Sequence, residues 1–94
     1  MNICGIPYEI IPCEDNFDID LHFGQIDYRD AKIKINSDAT EPMQQQSLCH
    51  EIVHGMLVHL GFQDMSNDEQ FVQSLGMAIS QTFVVRGACE HEKI

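Results

Sequence analysis

The stretch "SLCHEIVHGMLVHLGF", Ser47 to Phe62, sets apolar residues at helical spacing around an H-E-x-x-H pattern formed by His50, Glu51 and His54. Leu48, Ile52, Val53, Met56, Leu57 and Leu60 recur at steps of three and four, which is the mark of a helix with one buried face. Upstream, "SDATEP" carries helix-start chemistry. Thr40 can cap, Glu41 suits the positive end of the helix dipole, and Pro42 is tolerated in a first turn. Gly61 is a usual terminator, so the pattern predicts a helix from about Glu41 to Leu60.

Successive helical residues turn by about 100°, so His50 and His54 lie within about 40° of each other, one turn apart. Two imidazoles so placed can reach one Zn²⁺ from the same face. Glu51 sits beside them, close enough to touch a water on the metal without binding the metal itself. Zinc lowers the pKa of such a water to about 7, and a carboxylate base can complete its activation. In a chain of this composition chance produces the pattern roughly once in fifty. Without a metal, two histidines and a glutamate buried on such a helix would carry a desolvation cost. His59 is about 180° around the helix from His50, so a surface or capping role near the C-terminus suits it better. Cys49 points about 100° away from His50 and reads as a packed thiol.

The third ligand has to come from elsewhere. The loop "QDMSND" leads into a second helix, capped by Ser66 or Asn67 and running to about Arg86, with Phe71, Val72, Leu75, Ala78, Ile79 and Phe83 as its apolar positions. Donors after His54 are His59, Asp64, Asp68, Glu69 and the tail group Glu90, His91 and Glu92. Glu69 is the strongest, since it begins the second helix and shares a face with Val72, Gln73 and Gly76. Gly76 would let the two helices approach closely. Gly87 ends this helix, and "ACEHEKI" reads as a frayed tail.

The first third of the chain reads as strands. "IPYEIIPCE" is β-rich after Pro7. In "AKIKIN", Ile33 and Ile35 alternate with Lys32 and Lys34, the period of a half-buried strand. Leu21–Tyr28 and Lys32–Asn36 are expected to form an antiparallel hairpin across "RDA". The expectation is one α+β domain spanning residues 1–94, with a small antiparallel three-stranded sheet followed by two packed helices.

Fifteen acidic residues against five Lys and Arg give a formal net charge of −10, which argues against a nucleic-acid partner. No apolar run approaches the roughly 18 residues of a membrane span. The start "MNICGIPYEI" lacks the basic and apolar regions of a secretory signal, so a cytoplasmic protein with reduced Cys4, Cys13, Cys49 and Cys89 is expected.

With these residues in place, the chain resembles the gluzincin type of zinc metallopeptidase, which has H-E-x-x-H on one helix and a Glu on the next. More narrowly, residues Gly24 to Phe83 are similar to the compact phage- and mobile-element-associated metallopeptidases near the ImmA/IrrE group. In those a strand precedes "LLHEIxHA" and an "EExVxxLA"-like segment follows; the counterparts here are "AKIKIN", "SLCHEIVHG" and "DEQFVQSLG". The resemblance implies a minimal zincin-like domain with His50, His54 and Glu69 as zinc ligands and Glu51 as general base and proton shuttle. It also implies peptide-bond hydrolysis, a peptide or protein substrate such as a repressor-like regulator, and a sheet edge near Phe23–Asp27 that receives an extended peptide. Many such peptidases add a downstream His or Tyr as oxyanion stabiliser. No Tyr follows Glu69, leaving Tyr28, His22 or His91 for that place.

Two other readings compete. A zinc-stabilised interaction module with weak or no catalysis would suit the small size, but a purely structural site has no need of Glu51. "HGMLVHLGFQD" is similar to the "HGxLHLxGYDH" of a single-strand endoribonuclease family. Its second His falls one residue late, its third is absent, and the acidic charge disfavours RNA.

Overall fold

The computed structural model describes residues 1–13 and 24–84, and there the chain has an α+β architecture. Strands β1 (Asn2–Ile3) and β2 (Ile6–Pro7) form a tight hairpin turned by Cys4 and Gly5, both at positive φ. This hairpin was not legible in the sequence. It delivers Ile3 and Tyr8 to the core, where both are buried.

Three longer strands follow: β3 (Glu9–Cys13), β4 (Gly24–Asp27) and β5 (Lys32–Asn36), in the spatial order β3-β5-β4. The pair β4 and β5 is antiparallel, as expected from the short turn between them. Asp27 closes that turn by accepting hydrogen bonds from the backbone N–H groups of Arg29 and Asp30 at 3.0 and 3.1 Å. The predicted hairpin residues Leu21–Phe23 lie outside the described residues.

The expected all-antiparallel sheet is corrected. β3 runs parallel to β5, with Ile10 opposite Ile33 and Pro12 opposite Ile35, so the sheet is mixed. Only strands joined by a tight turn are obliged to be antiparallel, and β3 is separated from β5 by β4 and a long connection. The alternating Ile33 and Ile35 make β5 the natural centre: both are buried, Ile33 completely.

Helix α1 (Glu41–His59) starts as its sequence requires, with the Thr40 hydroxyl accepting from the Met43 N–H and Pro42 in the first turn. It ends at Gly61, whose φ of +90° lets Gly61 and Phe62 donate back to Val58 and Leu57 at 3.1 and 2.7 Å. Leu48 packs with Ile33 and Ile35 of β5 and with Ile3 and Tyr8 in the core, Val53 is buried, and the predicted packed thiol Cys49 is fully buried. Each such fully buried aliphatic side chain stabilises the fold by about 1.5–3 kcal/mol.

A one-turn helix, α2 (Gln63–Ser66), precedes α3 (Glu69–Thr82). Asp68 caps α3 by accepting from the Phe71 N–H at 3.1 Å, which corrects the expectation that Ser66 or Asn67 would do so. Ser66 belongs to α2 and is buried. α3 stops at Thr82 rather than near Arg86, because Phe83 turns to extended backbone; Arg86, Gly87 and the tail lie outside the described residues.

The seam between α1 and α3 runs along Val72 and Gly76, while Leu75 and Phe83, expected in the core, are exposed. The physical reason is Gly76. A Cβ there would stand 3.1 Å from both N and Cα of His50, so only glycine lets the helix backbones come this close. No helix among the described residues is long and apolar enough to cross a membrane.

Candidate metal centre

The close approach at Gly76 carries the start of α3 over the histidine face of α1. His50 Nε2 lies 3.1 Å from one Glu69 carboxylate oxygen, and His54 Nε2 lies 3.1 Å from the other. Together the three residues offer donor atoms that all fall within 4.8 Å of one another, and they could hold a metal ion. For tetrahedral zinc with bonds of about 2.0–2.1 Å, neighbouring donors stand roughly 3.3 Å apart. The spacing between Glu69 and each imidazole therefore fits. Asp64 and Asp68, the rival ligands, fall outside this group: Asp68 caps α3, and Asp64 borders a separate surface pocket with Phe62 and Met65. Glu90, His91 and Glu92 lie outside the described residues.

The outer nitrogens of the two rings are also held. His50 Nδ1 is 2.8 Å from Gln73 Oε1, and His54 Nδ1 is 2.9 Å from Ser66 Oγ. The Gln73 amide on one side and the Glu69 carboxylate on the other leave both His50 ring nitrogens with a partner. At His54, burial pushes the ring's pKa down, with the His50 charge acting in the same direction and Glu69 against it. A neutral ring with a free nitrogen is the form that binds a metal.

Glu51 is not part of this donor group. It is only 8 % exposed and leans towards the sheet, where Gly24 of β4 makes room: a Cβ on Gly24 would meet Glu51 Cγ at 3.3 Å. Burial raises its pKa from 4.5 to about 7, and the Glu69 charge adds to the effect. The carboxyl lines the same open cleft of about 480 Å³ as His50, His54 and Glu69. Gly24, Gln25 and Ile26 of β4 border that cleft, and Tyr28, Gln63, Ser66 and Asn67 complete it.

Of the three groups suggested for an oxyanion stabiliser, Tyr28 is in the cleft, whereas His22 and His91 lie outside the described residues. The Tyr28 pKa is pushed up to about 12, first by burial and then by the Glu51 charge. It keeps its hydrogen at any physiological pH. His59, expected at the surface, is exposed and stays away from the metal-binding group. Its Nε2 pairs with the phenol of buried Tyr8 at 2.5 Å, and its ring meets Tyr28 edge-on.

Sequence reasoning missed Ser66 and Gln73 as partners of the imidazoles, and Gly24 as the clearance for Glu51. Gln73 carried a signal, since it lies one turn after Glu69 on the same face. Ser66 and Gly24 carried none. No protein-family model matches the chain, and neither does any curated protein or solved structure.

Proposed function

We propose that this protein is a zinc-dependent peptidase in which His50, His54 and Glu69 hold the metal and Glu51 is the general base. The observation that carries the reading is the position of Glu51: a buried carboxyl lining the cleft beside the three donors without being one of them. A site that served only to staple two helices would gain nothing from burying this group, whose desolvation opposes its ionisation. Bound zinc would act as a Lewis acid towards the scissile carbonyl and would acidify the attacking water. Glu51 takes a proton from that water as its oxygen attacks the carbonyl carbon. It then returns the proton to the leaving nitrogen as the C–N bond breaks. A carboxyl with a pKa near 7 is suited to both transfers. Tyr28 donates its phenol hydrogen to the developing oxyanion.

The substrate enters as an extended peptide along β4. Among the described residues that strand pairs with β5 on one side only, and its residues Gly24–Ile26 border the cleft. Added as a further strand, a peptide would lie with its backbone beside Glu51 and the metal ligands. The test is cleavage of an extended-peptide library by the zinc-loaded protein. Wild type should cut, Glu51→Gln should keep the metal and not cut, and Tyr28→Phe should cut more slowly. Cleavage by Glu51→Gln at the wild-type rate would refute the assignment. Zinc-dependent stabilisation with no cleavage of any peptide would support the interaction-module reading instead.

A further inference from the structure

Tyr28 lies just past β4, in the turn that leads to β5. Asp27 fixes the backbone of that turn, but its hydrogen bonds go to the N–H groups of Arg29 and Asp30 and leave the Tyr28 side chain to other supports. A ring on an exposed turn has several rotamers open to it, whereas a hydroxyl that must meet a reacting atom needs one of them. One support comes from α1. The His59 ring meets the Tyr28 ring edge-on, with centroids 6.1 Å apart and planes at 82°.

His59 is itself exposed, so it needs an anchor before it can hold anything. Tyr8 provides one. Its phenol oxygen stands 2.5 Å from His59 Nε2, its ring meets the imidazole edge-on with centroids 5.7 Å apart, and Tyr8 is only 3 % exposed. The three rings run from the core, through the last residue of α1, to the wall of the cleft. The middle ring belongs to the helix that also carries His50, Glu51 and His54. It lies about 140° around that helix from His54, which keeps it out of the donor group. Because the helix holds all four residues at fixed separations, His59 ties Tyr28 into the same frame as the base and the metal-binding histidines.

We propose that His59, anchored by Tyr8, is a positioning residue that holds Tyr28 in the cleft for the reaction. The proposal rests on the peptidase reading and gives a task to a histidine outside the donor group. The contribution of the Glu51 charge to the raised Tyr28 pKa agrees with a phenol kept near the base.

The experiment compares His59→Gln with His59→Phe. Glutamine keeps an amide that can accept from the Tyr8 phenol and lacks the ring; phenylalanine keeps the ring and lacks the acceptor. In urea unfolding of the metal-free proteins, His59→Gln should stay near wild type, and His59→Phe should lose stability because the buried phenol has no partner. In cleavage of a library peptide that the zinc-loaded wild type cuts, the order should reverse. His59→Gln should lower kcat by about ten- to a hundredfold with KM unchanged, and His59→Phe should keep kcat within about threefold. Tyr28→Phe sets the floor at about a hundredfold or more, the cost of a lost oxyanion donor. The His59→Gln/Tyr28→Phe pair should go no lower, since His59 acts through Tyr28. NMR of the metal-free protein gives a readout apart from activity. The chain has two tyrosines, so Tyr28→Phe identifies the Tyr28 ring signals. These should move towards the values of an unstructured tyrosine in His59→Gln and stay dispersed in His59→Phe. Rates that follow stability in both variants, a further loss in the pair, or Tyr28 signals indifferent to His59→Gln each overturn the proposal. A wild type that cuts no peptide overturns the peptidase reading and with it the catalytic task, while the NMR comparison still decides whether His59 holds Tyr28.

Discussion

Replacing Glu51 by Gln should stabilise the metal-free protein at neutral pH, although it removes the proposed catalytic base. The unfolded chain ionises this carboxyl near its ordinary value of 4.5, whereas in the folded chain ionisation waits until about pH 7. The folded state is therefore penalised for holding the charge. The penalty is absent below pH 4.5, grows as pH rises from 4.5 to 7, and is complete above that. At about 1.4 kcal/mol per pKa unit it reaches about 3 kcal/mol. The glutamine amide has no charge to lose but is itself desolvated, so the net gain at pH 8 should be about 1–3 kcal/mol. In a domain of this size that raises the melting temperature by about 5–20 °C. The assay is urea unfolding of both proteins in excess chelator at several pH values between 5 and 8, reading only the difference between them. The difference should widen with pH and level off above 7. Saturating zinc should shrink it, because a cation beside Glu51 favours the ionised form. A difference that does not change with pH, or a wild type that is the more stable at pH 8, would refute the reasoning.

Glu69→Ala should abolish one-to-one zinc binding in titration calorimetry, while Asp64→Ala leaves it unchanged. Asp68→Ala should bind zinc normally and instead lose about 1 kcal/mol of stability, the worth of the α3 cap, in chemical denaturation. Gly76→Ala places a methyl 3.1 Å from the His50 backbone, which a helix can relieve only by moving away. It should cost about 1–3 kcal/mol and weaken zinc binding as Glu69 withdraws from the histidines, both measurable in one thermal-shift titration. His59→Leu leaves the buried Tyr8 phenol without its partner and should destabilise by about 1–3 kcal/mol in urea unfolding, with zinc affinity preserved.

The local features were legible because the interactions that fix them span only a few residues. Thr40, Pro42 and Gly61 bound α1 through hydrogen bonds and dihedral limits written within one turn of chain. The spacing of His50 and His54 is a property of any α-helix, and the alternation in Lys32–Asn36 marks a strand wherever it pairs. Even Glu69 could be singled out, since a short loop returns the next helix and Gly76 lets it sit close. Tertiary packing decided the rest. The parallel pairing of β3 with β5 depends on which strand buries its isoleucines best, and no turn enforces it. Glycine at position 76 pointed to the side of α3 that would face α1, but only the packed structure shows that this side leaves Leu75 and Phe83 in solvent. Glu51 acquired its altered acidity only once Gly24, from a strand far away in sequence, made room to bury it. Ser66 looked like a cap because the sequence shows only its neighbours in the chain. Its partner, His54, is a neighbour in space, and burial beside that ring is what gives the hydroxyl its place in the site.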